Sequence, residues 1–271
     1  MNITTEPAFV FHQGTRPLLI SIPHGGTYVP PAIAARLTPE GRELHDTDWH
    51  LGQLYVFAKG MGASILQATH SRYVVDLNRP PDGASLYPGQ NVTGLCPVDT
   101  FDNTPLYLNG QGPDDAEIAA RRKAVWRPYH DQLSAELARI KATHGIAMLW
   151  DAHSIRSVVP RFFAGKLPDL NLGTADGASC DPGLAQQLLA IAQSAPGYTA
   201  VLNGRFKGGH ITRHYGQPAQ HVHAIQLEMT QCSYMQEAMP FAYLPAAAQR
   251  AQSTLQALLE AVLDFAEQKR H

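Results

Sequence analysis

Cysteine is scarce in this 271-residue sequence, and the three present, Cys96, Cys180 and Cys232, are odd in number, far apart and form no CxxC pair. That excludes a disulfide framework and a thiolate zinc knuckle. Charge of one sign is missing as well. Lys and Arg total 21 against 23 Asp and Glu, a formal net charge of -2, so no long-range field draws the chain to nucleic acid or to an anionic membrane. No run approaches the roughly 20 apolar residues of a membrane helix. The opening stretch MNITTEPAFVFHQG lacks a basic leader and a long apolar segment, so a cytoplasmic location is expected. There is no GxSxG elbow, which disfavours a serine hydrolase. No internal repeat or low-complexity tract is present. A small-molecule partner fits this composition, and the oligomeric state stays open.

What is present points to one α/β domain spanning residues 1–271, since 44% hydrophobic content supplies one large core at this length. Apolar runs rich in β-branched residues, at 18–22, 63–68, 73–77, 146–150 and 224–227, read as strands. Each ends in a polar cluster: Pro23-His24-Gly25-Gly26, Thr69-His70-Ser71-Arg72, Asn78-Arg79-Pro80-Pro81, Asp151-Ala152-His153-Ser154 and Glu228. Between them lie helix patterns. One follows Asp181-Pro182 and stops at Pro196-Gly197, and another runs from Pro245 to Gln268. A long pattern over 114–144, closed by Gly145, should kink or split at Pro128. Open sheets of such α/β folds bind ligands beyond the carboxyl ends of their strands, where the polar clusters fall. Two aperiodic stretches, 80–112 and 158–180, read as ordered coverings because Tyr87, Phe101, Tyr107, Phe162 and Phe163 punctuate them.

Histidines beside acids and glycines direct attention to a metal. Two glycines after His24 would let the chain turn sharply and bring other groups close. Asp151 and His153 share one face of an extended segment, so the acid could orient the imidazole. The segment Asp46-Thr47-Asp48-Trp49-His50 offers two carboxylates where a helix begins. Two histidines plus a carboxylate form a catalytic zinc set that leaves a position for water. The assignment is His24, Asp48 and His153, with Asp46 as the alternative carboxylate; zinc or another divalent transition metal suits these donors. Glu228 interrupts an apolar strand, is costly to bury without a partner, and is the candidate general base. Arginines gather in the same places: Arg72, the Asn78-Arg79 pair, and Arg205 and Arg213 within a glycine-rich stretch, 203–216. Guanidinium groups clamp carboxylates in a planar, two-pronged fashion, so an acidic substrate is expected.

The motifs SIPHGGTYVP, DTDWH, SRYVVDLNRPPDG, DAHSIRS, GKLPDLNLGT, NGRFKGGHITRHYG and QLEMTQ resemble those of the N-formylglutamate amidohydrolases (deformylases) of histidine breakdown, along nearly the whole chain. The resemblance implies a three-layer α/β/α, phosphorylase/hydrolase-like fold with a mixed central sheet similar to that of zinc carboxypeptidases. It further implies metal-dependent hydrolysis of N-formyl-L-glutamate to formate and glutamate, the last step of a histidine degradation route. Under it His24 and His153 match the histidine ligands, Glu228 the general base, Asn78 and Arg79 a carboxylate clamp, and Arg72 the arginine facing the reacting carbonyl; Arg213 is expected to join Asn78 and Arg79 in holding the substrate carboxylates. One departure is visible: zinc carboxypeptidase relatives place a ligand Glu three residues after the first His, where this chain has Thr27. The rival readings are an aspartoacylase-like or carboxypeptidase-like hydrolase of another N-acyl acidic amino acid, and a non-catalytic binder of acidic metabolites.

Overall fold

The structure, a computed structural model, describes residues 5–84 and 93–269. Seven strands form one mixed sheet: β1 (Phe9–His12), β2 (Leu18–Ile22), β3 (Ser64–Ala68), β4 (Ala147–Ile155), β5 (Leu170–Gly173), β6 (Ala200–Leu202) and β7 (Val222–Thr230), in the spatial order β1-β3-β2-β4-β7-β5-β6. Strands β3, β2, β4 and β7 run parallel, so their carboxyl ends share one edge. Strand β1 pairs antiparallel with β3, and β5 with β7.

Successive side chains of a strand leave on opposite faces, and here both faces are covered. Leu18, Ile20, Ile22, Met148 and Trp150 pack with Leu184 and Leu188 of one helix and Leu255, Leu258, Leu259 and Val262 of another. Those helices are α6 (Pro182–Ser194) and α8 (Pro245–Gln268). Their intervening neighbours Leu19, Ala147 and Leu149 face the other way, onto Tyr129, Leu133, Leu137 and Ile140 of α5 (Arg127–His144). The result is three layers, α/β/α, as the resemblance implied. Between β2 and β3 the chain makes three single-turn helices, α1 (Pro31–Ala34), α2 (Pro39–Arg42) and α3 (Leu51–Leu54), and α7 (His210–Tyr215) precedes β7. No helix among the described residues is long and apolar enough to cross a membrane.

Local signals account for most helix ends. Asp181 Oδ1 accepts from the N–H groups of Gly183 and Leu184 at 2.8 and 3.2 Å and opens α6. Gly145 closes α5 in the left-handed region at φ 78°. The break expected at Pro128 takes the form of a π turn, Arg122–Trp126, joining α4 (Asp115–Arg121) to α5. Pro128 then stands in the first turn of α5, where its missing N–H costs little.

Three expectations fail. Residues 73–77 are not a strand, although Tyr73, Val74, Val75 and Leu77 are buried; helix side chains, not a neighbouring strand, meet the carbonyls of Val74 and Leu77. Strands β4 and β7 continue beyond their apolar runs, because the buried polar groups in their last residues find partners. Strand β5 was hidden in the stretch 158–180 expected to be wholly aperiodic. Tyr87, expected in the other covering, lies outside the described residues.

Candidate metal centre

His24 lies two residues beyond β2, and the DTDWH segment is tied to it by the Asp48 N–H donating to the His24 carbonyl at 3.1 Å. Neither Gly25 nor Gly26 has a positive φ. Gly26 serves close approach instead, since a Cβ there would lie 2.4 Å from the His70 carbonyl oxygen. His153 comes from β4, in register with Glu228 of β7. The three polar groups therefore converge from separate parts of the chain onto one edge of the sheet.

The candidate ligand atoms of His24, Asp48 and His153 lie within 4.8 Å of one another, and all three residues are buried. Asp48 Oδ2 is 3.3 Å from His153 Nδ1 and 3.8 Å from His24 Nδ1, and it accepts the Ser154 N–H at 3.1 Å. The far side of each ring faces another acid. His24 Nε2 is 2.7 Å from Asp76 Oδ1, and His153 Nε2 is 3.1 Å from Asp151 Oδ1. Asp76 is itself gripped by Arg72 Nη2 at 2.8 Å and by the Asn78 N–H at 2.9 Å. Asp151 receives the Thr212 hydroxyl at 3.0 Å. Asp76 accepts from His24, which fixes that ring and raises its basicity; Asp151 stands behind His153 at ion-pair distance, and both Nδ1 edges face Asp48. Two imidazoles and a carboxylate are a fitting donor set for zinc or a similar divalent ion.

Of the two carboxylates in DTDWH, Asp48 enters this group and Asp46 does not. Asp46 Oδ2 accepts the Phe101 N–H at 2.8 Å and fastens that loop over the site; burial raises its pKa.

Charge in the site is finely opposed. Burial, and then the Arg72 guanidinium, lower the pKa of His24. Burial also opposes the charged form of His153, but Asp151, Asp48 and Glu228 together outweigh it and hold its pKa well above the usual value. Burial would raise Asp76, yet Arg79, His24 and Arg72 draw it well below the ordinary carboxylate range. Burial pushes the Glu228 carboxyl up to about 8, against the pull of His153. Carboxylates crowded around two rings make this position attractive to a cation.

A cavity opens onto the centre, lined by His24, His153, Arg72, Asn78, Arg79, Phe101, Phe162, Arg205, Phe206, Gln226 and Glu228 among others. Glu228 is steadied by Gln226 Nε2 at 3.3 Å from its Oε2, and the Arg72 guanidinium stacks 4.8 Å from the Phe101 ring centre. Asn78 stands in the wall with its amide engaged: Oδ1 accepts the Ile211 N–H at 2.8 Å, and Nδ2 is 3.0 Å from His153 Nε2. Arg213 is not among the lining residues; its Nε donates to the Gly208 carbonyl at 2.8 Å. Arg205, from the same glycine-rich stretch, lines the cavity instead. It bonds the Phe162 carbonyl at 2.6 Å, and its guanidinium lies 5.9 and 5.4 Å from the Phe162 and Phe206 ring centres. Periodicity has no means of choosing between two arginines in one loop. Asp76 was also overlooked, although an acid inside the buried run Val74-Val75-Asp76-Leu77 carries the same signal that singled out Glu228.

Comparison with known proteins bears on this geometry. A family model described as N-formylglutamate amidohydrolase matches residues 16–235. The chain is 55% identical over 259 residues to the N-formylglutamate deformylase of Pseudomonas aeruginosa, covering 96% of this chain and 97% of that protein. It is 53% identical over 253 residues to the N-formylglutamate deformylase of Pseudomonas putida, covering 93% and 94%. Among solved structures, an N-formylglutamate amidohydrolase from Ralstonia eutropha matches with a TM-score of 0.83 at 24% identity, over 97% of this chain and 99% of that one. A gene product of Agrobacterium tumefaciens matches at 0.69 and 19% identity, over 95% and 96%. These two structural likenesses speak for the fold.

Proposed function

The chain belongs to the N-formylglutamate amidohydrolase family, and from that premise we propose that it uses a divalent metal to hydrolyse N-formyl-L-glutamate to formate and L-glutamate. The observation that carries the reading is the convergence of His24, Asp48 and His153 beside Glu228 in a cavity walled by arginines. Those first three residues would hold the ion. When bound, such an ion supplies Lewis acidity that polarises the formyl carbonyl and acidifies water.

The remaining work falls to side chains of the protein. Glu228 takes the proton of the attacking water as general base and returns it to the departing amine nitrogen as general acid. Its burial, which raises its pKa, favours a carboxyl that can do both. Arg72, held in place by Asp76, faces the oxygen on which negative charge develops. Arg79 and Arg205 receive the carboxylates of the substrate, with Arg205 in the place expected for Arg213. Asn78 orients His153. Phe101, Phe162 and Phe206 exclude water from the reacting bond. The resemblance supports placing this reaction at the end of a histidine degradation route.

The test is formate release from N-formyl-L-glutamate, before and after chelation and again after zinc is restored. Release that chelation abolishes and zinc recovers supports the reading; release indifferent to chelation rejects it. Glu228→Gln should lower kcat by roughly 10²- to 10⁴-fold while zinc is retained. Near-normal turnover in that variant would remove Glu228 from the mechanism.

A further inference from the structure

Residues 74–78 cross the interior and 79–81 continue at its half-buried margin, none of them in a strand, and unpaired carbonyls away from water are costly. Four of them are met by side chains of a single helical rod. Arg121 Nη1 donates to the Val74 carbonyl at 3.0 Å, His130 Nε2 to Leu77 at 2.8 Å, Trp126 Nε1 to Arg79 at 3.0 Å, and Arg122 Nη1 to Pro81 at 2.8 Å. Leu77, Arg79 and Pro81 are thus met in turn by His130, Trp126 and Arg122, so segment and rod run antiparallel. In a regular α-helix every fourth residue drifts by about 40° around the axis. The wider π turn at Arg122–Trp126 takes up that drift and keeps these three side chains toward the segment.

The segment carries the residues that hold the centre. Asp76 bonds His24, Asn78 faces His153, and Arg79 lines the cavity. Trp126 and His130 support one another, with ring centres 3.7 Å apart, and the Tyr215 hydroxyl lies 2.9 Å from His130 Nδ1.

We propose that Trp126 and His130 are positioning residues of this hydrolase, which touch no substrate and set the places of Arg79, Asn78 and Asp76 through the backbone of residues 77–79. The inference rests on the cavity being the substrate site described above. Trp126 acts on Arg79 and hence on substrate binding. His130 acts on Leu77, between the two residues that hold the imidazoles, and hence on the metal centre.

The experiment compares the zinc-loaded wild type with Trp126→Phe, His130→Phe and His130→Gln, measuring kcat and KM for formate release, zinc affinity, and calorimetric binding of L-glutamate. Trp126→Phe keeps an aromatic ring against His130 but loses the donor. Its KM and its Kd for L-glutamate should rise about tenfold, with kcat and zinc affinity changed by less than about threefold. His130→Phe should lose about tenfold in both kcat and zinc affinity, and His130→Gln, which keeps a donor, should recover most of both. Variants that melt earlier but keep all four quantities within about twofold would reduce the rod to packing and overturn the proposal. So would a fall in kcat alone for Trp126→Phe. If His130→Phe fails to fold, Trp126→Phe decides. A wild type that binds L-glutamate without releasing formate sinks the proposed reaction, while the shift in Kd still judges this inference; loss of both sinks both.

Discussion

The two faces of the sheet are covered by different chemistry. Against one face α8 buries Ala248, Ala251, Leu255, Leu258, Leu259, Val262 and Phe265, with no charged side chain among its buried residues. Against the other, α4 and α5 bury Arg121, His130 and Glu136 beside Tyr129, Leu133 and Ile140. Apolar burial is non-directional and holds the sheet together. Polar burial is directional and pays only when every group is partnered. The α8 face supplies cohesion, and the α4–α5 face supplies position at the edge where the candidate metal site lies.

That contrast can be broken by three measurements. The largest expected effect is on the apolar face: Leu259→Ala should cost about 2–5 kcal/mol in chemical denaturation, with KM and zinc affinity unchanged where the variant is folded. Altered zinc affinity would mean that the faces are not separable. On the polar side, Asp76→Asn keeps the shape behind His24 but removes the charge, and a competition titration should find zinc affinity reduced about 10- to 100-fold. An unchanged affinity would make Asp76 a packing residue. The smallest effect concerns pH. Burial lowers His130 to about 3 and His210 to about 4, so in both the folded value lies below the unfolded one. Their contribution to stability is fully present above the unfolded value near 6.5. It is lost as the pH falls from there toward about 4 and then about 3, because the unfolded chain takes up protons that the native state refuses. Denaturation of His130→Gln over that range should depend less on pH than that of the wild type; equal slopes would show that the histidine under the rod is not what makes this face acid-sensitive.

Legibility followed periodicity and cost. Helices α6 and α8 were readable because their apolar residues recur with the spacing of one covered face, and strands β2 and β3 because each is a short, largely apolar run buried on both faces that gives way to a polar cluster. His24, Asp48, His153 and Glu228 were readable because polar residues at the ends of apolar runs need a reason to be there. The strand expected at 73–77 misled for an instructive cause. Tyr73, Val74, Val75 and Leu77 are buried as a strand's residues would be, but the carbonyls of Val74 and Leu77 are met by Arg121 and His130 from a helix. Nothing in a short apolar run distinguishes the two cases. Likewise β5 is only Leu170–Gly173, too short to announce itself within a segment rich in Gly, Pro and Asp.

The order of residues along the chain was enough to determine the α/β class, the elements that bury an apolar side, and the residue types that gather at the candidate site, because these depend on local spacing and on the cost of burying charge. Tertiary structure alone decided that Asp48 and not Asp46 joins the two imidazoles, that Arg205 and not Arg213 turns into the cavity, and that Asp76 stands behind His24. Each of those choices is a matter of direction between groups distant in sequence. Direction at such range comes from packing, which no local pattern encodes.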